Sequence, residues 1–288
     1  MQIRLSPSQI AAADDCRRKH WYQSIAKVRT AGFAANLAFG HCVDVSVREY
    51  LLALAKGAER PDPVERFREA WTLRCDEDEL VYAATQTPEQ FERMGQDLMR
   101  QFPAAWDRTG FEVALDHRDE PLLDLRLKAR LGSESGVELV LDGIIDVVVY
   151  TQATELAVVD IKTSQAPHTR LYTHRADQLT SYQILLEAHR QRLGLPKVER
   201  LGFLDLLKRV KSSRIEPPVL VPVRTDAELM EFRQKVFWLA DDIRRQRFPR
   251  VSRMQYNAPC ELCDFAAHCV HGETDGLIFP DQPTIASA

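Results

Sequence analysis

Hydrophobic and polar positions alternate with two periods along this chain, and the period changes near residue 111. Before that point the spacing is helical. "LSPSQIAAADDCRRKHWYQSIAKV" opens on Ser6, Pro7 and Ser8, residue types that start helices. "NLAFGHCVDVSVREYLLALAKG" predicts a second helix ending near Gly57, and residues 61–75 and 87–106 predict two more. After residue 111 the pattern becomes strand-like in "FEVALDH", "LLDLRLKARL", "VELVLDGIIDVVVY" and "ELAVVDIKT", with turn signals such as "GSESG" between. "RADQLTSYQILLEAHRQRLG" predicts a helix closed by Gly194 and Pro196. "VERLGFLDLLKR" and "IEPPVLVPV" predict strands, and "DAELMEFRQKVFWLADDIRRQRF" a long helix. The order predicts an α/β fold with a mixed central β-sheet flanked by helices. It fits one domain over 1–288, with a helical region (1–110), a core (111–223) and a C-terminal region (224–288).

The strand period brings chemistry together. In a strand over 156–162, Leu156, Val158, Asp160 and Lys162 share one face, and Ala157, Val159 and Ile161 the other. Asp160 and Lys162 then point the same way at the end of the strand. Asp146, in the preceding strand with Ile144 and Val148 on its face, brings a second carboxylate. Two carboxylates suit a hard ion such as Mg²⁺ or Mn²⁺, and a lysine can stabilise charge on a phosphate. A buried ion pair is the alternative, and these residues alone leave both open. On the following helix Gln178 and Tyr182, four apart, share a face.

Composition excludes some classes and permits others. Hydrophobic residues make up 45% and charged residues 28%, as in a globular protein, and no apolar run is long enough to span a bilayer. The N-terminus lacks the apolar block of a secretory signal, so a cytoplasmic location is expected. The net charge of −4 argues against indiscriminate nucleic-acid binding but not against a local basic groove. Basic clusters stand at 16–20, 208–214 and 244–253. Of six cysteines, Cys260, Cys263 and Cys269 form C-x2-C-x5-C, a spacing that suits a shared metal centre. Cys42 and Cys75 have no such pattern and are expected to be small buried residues.

Taken in order, Gly143 with Asp146, Asp160 with Lys162, and Gln178 with Tyr182 resemble the three motifs of the PD-(D/E)xK nuclease superfamily, in particular its RecB-like exonuclease branch. The resemblance implies a restriction-endonuclease-like core and metal-dependent hydrolysis of DNA. Asp146, Asp160 and the carbonyl of Ile161 would hold Mg²⁺ or Mn²⁺, Lys162 would be the catalytic lysine, and Gln178 and Tyr182 would contact the substrate backbone. The branch usually places a metal-binding histidine four residues after a glycine. Here Asp44 follows Gly40 at that spacing, with His41 as the alternative ligand. Members of the AddB and CRISPR-associated type carry one cysteine before the core and three after it, around an iron–sulfur cluster. Cys16, Cys260, Cys263 and Cys269 match that layout, which implies a [4Fe–4S] cluster, with Zn²⁺ as the alternative. The expected role is a DNA exonuclease in recombination, repair, phage or CRISPR-related processing. A catalytically weak nuclease-fold DNA-binding or assembly partner is the rival, and a sequence-specific restriction enzyme is a third reading.

Overall fold

The structure is a computed structural model that describes residues 1–134, 136–252 and 259–280. Ser135 of the "GSESG" turn, Arg253 of the third basic cluster, and Asn257 and Ala258 before the cysteine trio lie outside the described residues.

β1 (Gln2–Leu5) leads into the first helical stretch, which holds α1 (Pro7–Asp15), α2 (Arg17–His20) and a π turn at Trp21–Ile25. After it come β2 (Arg29–Thr30), β3 (Phe33–Ala34), α3 (Ala35–Ala55), α4 (Pro63–Glu77), β4 (Leu80–Val81) and α5 (Pro88–Thr109). The strand-rich stretch holds β5 (Glu112–Val113), β6 (Leu123–Glu134), β7 (Val137–Tyr150) and β8 (Leu156–Ser164). Then follow α6 (Arg170–Arg175), α7 (Asp177–Leu193), β9 (Arg200–Leu207), β10 (Arg214–Ile215), β11 (Val219–Pro222) and α8 (Asp226–Arg244). A short turn of helix at Pro259–Leu262, α9 (Ala266–His271) and β12 (Leu277–Ile278) close the described chain.

These elements form two compact units that interleave in sequence. A central unit comprises Phe33–Ala129 and Asp142–Leu229, and a terminal unit comprises Met1–Gly32, Arg130–Leu141 and Met230 onward. The consecutive regions read from the sequence divide the chain differently. β6, β7 and α8 each contribute to both units.

In the central unit β7 pairs antiparallel with β8, and β8 pairs parallel with β9. β10 and β11 both pair antiparallel with β9. This mixed sheet carries helices, as the pattern predicts. The parallel β8–β9 step needs a crossover, and α6 and α7 supply it. One sheet face packs Val147, Val149, Ala157, Val159, Leu204 and Leu206 against Phe39, Cys42 and Val43 of α3 and the aromatic residues of α4 and α5. Gly40 lets α3 approach β8 closely, because a Cβ there would sit 3.3 Å from Thr163 Oγ1. α7 ends at Gly194, whose φ of 75° suits the left-handed cap.

In the terminal unit β1 pairs parallel with Glu138–Leu141 of β7, and β2 pairs antiparallel with β12. α1 begins with a capping box between Ser6 and Gln9. The predicted first helix breaks at Cys16, whose extended backbone (φ −164°, ψ 119°) separates α1 from α2. A small core of Tyr22, Val28 and Phe265 holds the two chain ends together, with Tyr22 stacked on Phe265 at 5.2 Å. Among the described residues no helix is long and apolar enough to cross a membrane.

Candidate active site

β8 leaves the core at Asp160. Its residues from Leu156 to Asp160 are buried, and those from Ile161 to Ser164 are partly exposed. Asp160 is fully buried, while the Lys162 side chain is 35% exposed. The period-2 alternation puts both on one face, opposite Ile161, which packs against the core.

The antiparallel ladder between β7 and β8 runs from Tyr150↔Leu156 to Val147↔Val159. Asp146 is the next residue of β7. Its Oδ2 accepts the Ile161 backbone N–H at 2.9 Å, a bond the strand ladder would otherwise have made. The N–H and C=O of one strand residue point to the same edge, so the Ile161 carbonyl faces the side that Asp146 occupies.

Three groups hold Asp160. Gln178 Nε2 donates to Asp160 Oδ1 at 2.7 Å and to Tyr182 Oη at 2.8 Å. Tyr182 Oη donates in turn to Asp160 Oδ1 at 3.3 Å. The helical spacing of Gln178 and Tyr182 thus aims both at one carboxylate oxygen. Lys162 Nζ stands 2.7 Å from the other oxygen, Oδ2, as an ion pair. Oδ2 is therefore a buried carboxylate oxygen that meets the Lys162 ammonium.

The electrostatics are those of crowded carboxylates. Burial first, then the charge of Asp160, pushes the Asp146 carboxyl well above the ordinary range, against the opposing pull of Lys162. Burial alone would lower Lys162, but Asp160 and Asp146 outweigh it and leave the ammonium more firmly protonated. Burial, then Asp160 and Asp146, raises the Tyr182 phenol so far that it stays a donor. Asp44 lies on α3 with its side chain open to solvent, yet the surrounding protein and then Asp124 push its carboxyl up to about 6. Asp160 and Lys162 both act on Asp44. His41 belongs to a separate groove with Arg66, Arg74 and Glu77.

A pH dependence follows. A carboxyl whose folded pKa is raised binds more protons folded than unfolded, so metal-free stability falls as pH climbs from about 3.8 to about 6 through Asp44. Protons also compete with a cation for the same oxygens. Mn²⁺ affinity, measured by calorimetric titration, is expected to rise as pH passes upward through about 6. An affinity flat across that window would remove Asp44 from the cation's surroundings.

Among the described residues, no three His, Cys, Asp or Glu side chains stand as a ready-made metal cage. The donor set nonetheless fits a hard cation. Asp160 is a buried carboxylate whose Oδ2 meets only a single ammonium, Asp146 is crowded by like charge, and all the groups are oxygens. In the terminal unit Cys16, Cys260, Cys263 and Cys269 line one cavity of about 880 Å³, along with Arg18, Lys19 and Tyr22. Cys263 and Cys269 also pack on the Tyr22–Phe265 core. All four cysteines lie along that cavity, but among the described residues no three of them stand as a metal-holding group. Cys42 is buried as expected, but Cys75 is exposed, because the buried stripe of Phe67 and Trp71 runs out at the last turn of α4.

The sequence reading missed three features. Asp124, at φ 46°, joins Arg48 at 3.3 Å beside Asp44. Asp205, 1% exposed, stands opposite Lys162 on β9 and binds His168. His20 is fully buried with neither ring nitrogen hydrogen-bonded, and burial, then Arg17, lowers it to about 4. A carboxylate inside "FLDLL" is a signal that could have found Asp205, since an apolar run rarely spends a charge without a partner.

Residues 4–270 match the PD-(D/E)XK nuclease superfamily, and the chain belongs to that superfamily. No curated protein matches it. A solved structure titled "Crystal structure of SSO0001" is similar over 93% of this chain and 85% of its own, at 12% identity and a TM-score of 0.45.

Proposed function

We propose that this protein is a metal-dependent DNA exonuclease of the RecB-like branch, acting on DNA ends in recombination, repair, phage or CRISPR-related processing. The observation that carries this reading is Asp160, a fully buried carboxylate with one oxygen clamped by Gln178 and Tyr182 and the other beside Lys162. A fold gains little from a buried ion pair of this kind, whereas a cation site needs carboxylate oxygens held in place.

Asp146, Asp160 and the Ile161 carbonyl, with Asp44 beside them, would hold Mg²⁺ or Mn²⁺. The ion, when bound, would polarise the phosphodiester and lower the pKa of the attacking water. The chain's own residues do the rest. Gln178 and Tyr182 fix the Asp160 carboxylate so that it needs no reorganisation during the reaction. Lys162 stays cationic at the mouth of the site, where it can orient water and offset charge developing on the phosphate. Cys16, Cys260, Cys263 and Cys269 would carry a [4Fe–4S] cluster that pins the two chain ends. A reducing compartment such as the cytoplasm suits four thiolates.

The test is the topology of the substrate. Linear DNA is expected to be degraded in Mn²⁺ while closed-circular DNA of the same sequence survives. Linearisation or fragmentation of the circles would make the enzyme an endonuclease.

A further inference from the structure

We propose that Tyr172, backed by His168, is a stacking step for an unpaired DNA base beside the scissile phosphate, so that the enzyme takes single-stranded or frayed ends. The inference rests on the nuclease reading above and names the form of DNA that site accepts.

The placement follows from strand register. β8 and β9 run parallel, with Asp160 opposite Phe203 and Lys162 opposite Asp205. Paired residues on neighbouring strands project to the same face, and such strands lie about 4.8 Å apart. Phe203 and Asp205 therefore stand one strand away from the catalytic pair, on its face.

Asp205 then builds a platform. Its Oδ2 accepts the His168 backbone N–H at 2.8 Å, and its Oδ1 lies 2.6 Å from His168 Nδ1 and 3.3 Å from Ser164 Oγ. Thus fixed, the His168 ring stacks on Phe203 with centroids 4.5 Å apart and planes 27° apart. Tyr172 packs against both rings, 4.8 Å from His168 with planes 38° apart and 6.1 Å from Phe203 with planes 45° apart. Its backbone N–H is held by Thr169 Oγ1 at 3.2 Å, at the start of α6. The Tyr172 hydroxyl also bears on the charge of Lys162, so this cluster of rings lies close to the site.

What the stack lacks is a cover. Tyr172 is 56% exposed although Thr173 beside it is fully buried. Arg170 on the same helix is exposed too. An exposed aromatic ring near the Lys162 cation complements a single strand: a base stacks on the ring while a phosphate meets the charge. A base inside a duplex has both faces already stacked and must be freed before it can take such a place.

The experiment reads binding, not cleavage. Full-length protein in Ca²⁺ is titrated into single-stranded oligonucleotides carrying 2-aminopurine at one terminus or the other, and fluorescence quenching reports stacking. The unmodified protein and Tyr172→Phe should quench the probe at one end. Tyr172→Ala should lose the quenching and bind about 10-fold more weakly, with circular dichroism unchanged because the side chain is largely exposed. A G·C-clamped blunt duplex should bind the unmodified protein and Tyr172→Ala alike. Quenching and affinity equal to the unmodified protein in Tyr172→Ala would overturn this inference and leave the nuclease reading intact. Failure of the unmodified protein to bind any oligonucleotide would overturn both.

Discussion

Replacing Lys162 with alanine is expected to slow DNA cleavage by at least about 100-fold while DNA binding persists. The side chain stands 2.7 Å from Asp160 Oδ2 and is partly exposed, so its charge faces both the carboxylate and the space where a phosphate would sit. Burial works against the ammonium, but Asp160 and Asp146 together override it, and the cation is present at neutral pH. Two roles are separable. If Lys162 only neutralised Asp160, a bound divalent ion would replace it, and Lys162→Ala would recover its rate at high Mn²⁺. If it acts on water or phosphate, no metal concentration restores the rate. Lys162→Arg keeps the charge but spreads it over a planar fork that does not place it at the same point, so only partial activity is expected. Single-turnover cleavage across a Mn²⁺ series, beside binding in Ca²⁺, separates these cases. A rate within about threefold of the unmodified enzyme would take Lys162 out of the chemistry.

The second large effect is expected from Cys263→Ser, with loss of iron and of stability in the terminal unit. Cys263 lines the same cavity as Cys16, Cys260 and Cys269 and packs on the Tyr22–Phe265 core. A cluster bridging Cys16 to the trio near the other end of the chain closes a loop that spans most of the protein. By the chain-entropy argument for cross-links, such a loop is worth on the order of 5 kcal/mol. The measurement is iron and acid-labile sulfide per chain after anaerobic purification, with the thermal midpoint recorded on the same samples. The unmodified protein and Cys75→Ser, whose thiol lies outside the cavity, should carry iron and sulfide in equal amounts. Cys263→Ser should carry little and melt earlier. Zinc without sulfide in the unmodified protein would replace the cluster with a Cys₄ zinc site.

Much of the site was legible because two local periods wrote it. The strand period alone puts Asp160 and Lys162 on one face, and the helical step of four alone puts Gln178 beside Tyr182. Their target was less legible. In the structure both side chains also reach Asp160 Oδ1, a contact that depends on the β8–α7 packing. Asp205 and His168 escaped for the same reason, since their relation to Lys162 depends on a parallel pairing across a long crossover.

The elements follow the same rule. α3, α5, α7 and α8 are long enough to show their period. β1 is four residues long, too short for alternation to stand out, and α6 is a six-residue helix in a stretch that carries no apolar stripe. "FEVALDH" reads as a strand, yet the ladder with β7 covers only Glu112–Val113, Ala114 adds a single bond to the Val148 carbonyl, and Leu115 makes an isolated bridge to Pro121. The break at Cys16 has no glycine or proline to announce it.

The measurement that tests the central claim most directly is hydrolysis of end-labelled linear DNA in Mg²⁺, Mn²⁺ or EDTA by the unmodified protein and by Asp160→Ala. Asp160 is the choice because Gln178, Tyr182 and Lys162 all converge on it. The predicted result is release of nucleotides from one end in either metal, none in EDTA, and none by Asp160→Ala. An unmodified protein that binds the DNA but leaves it whole in every metal would contradict the account and make this chain a nuclease-fold binding module.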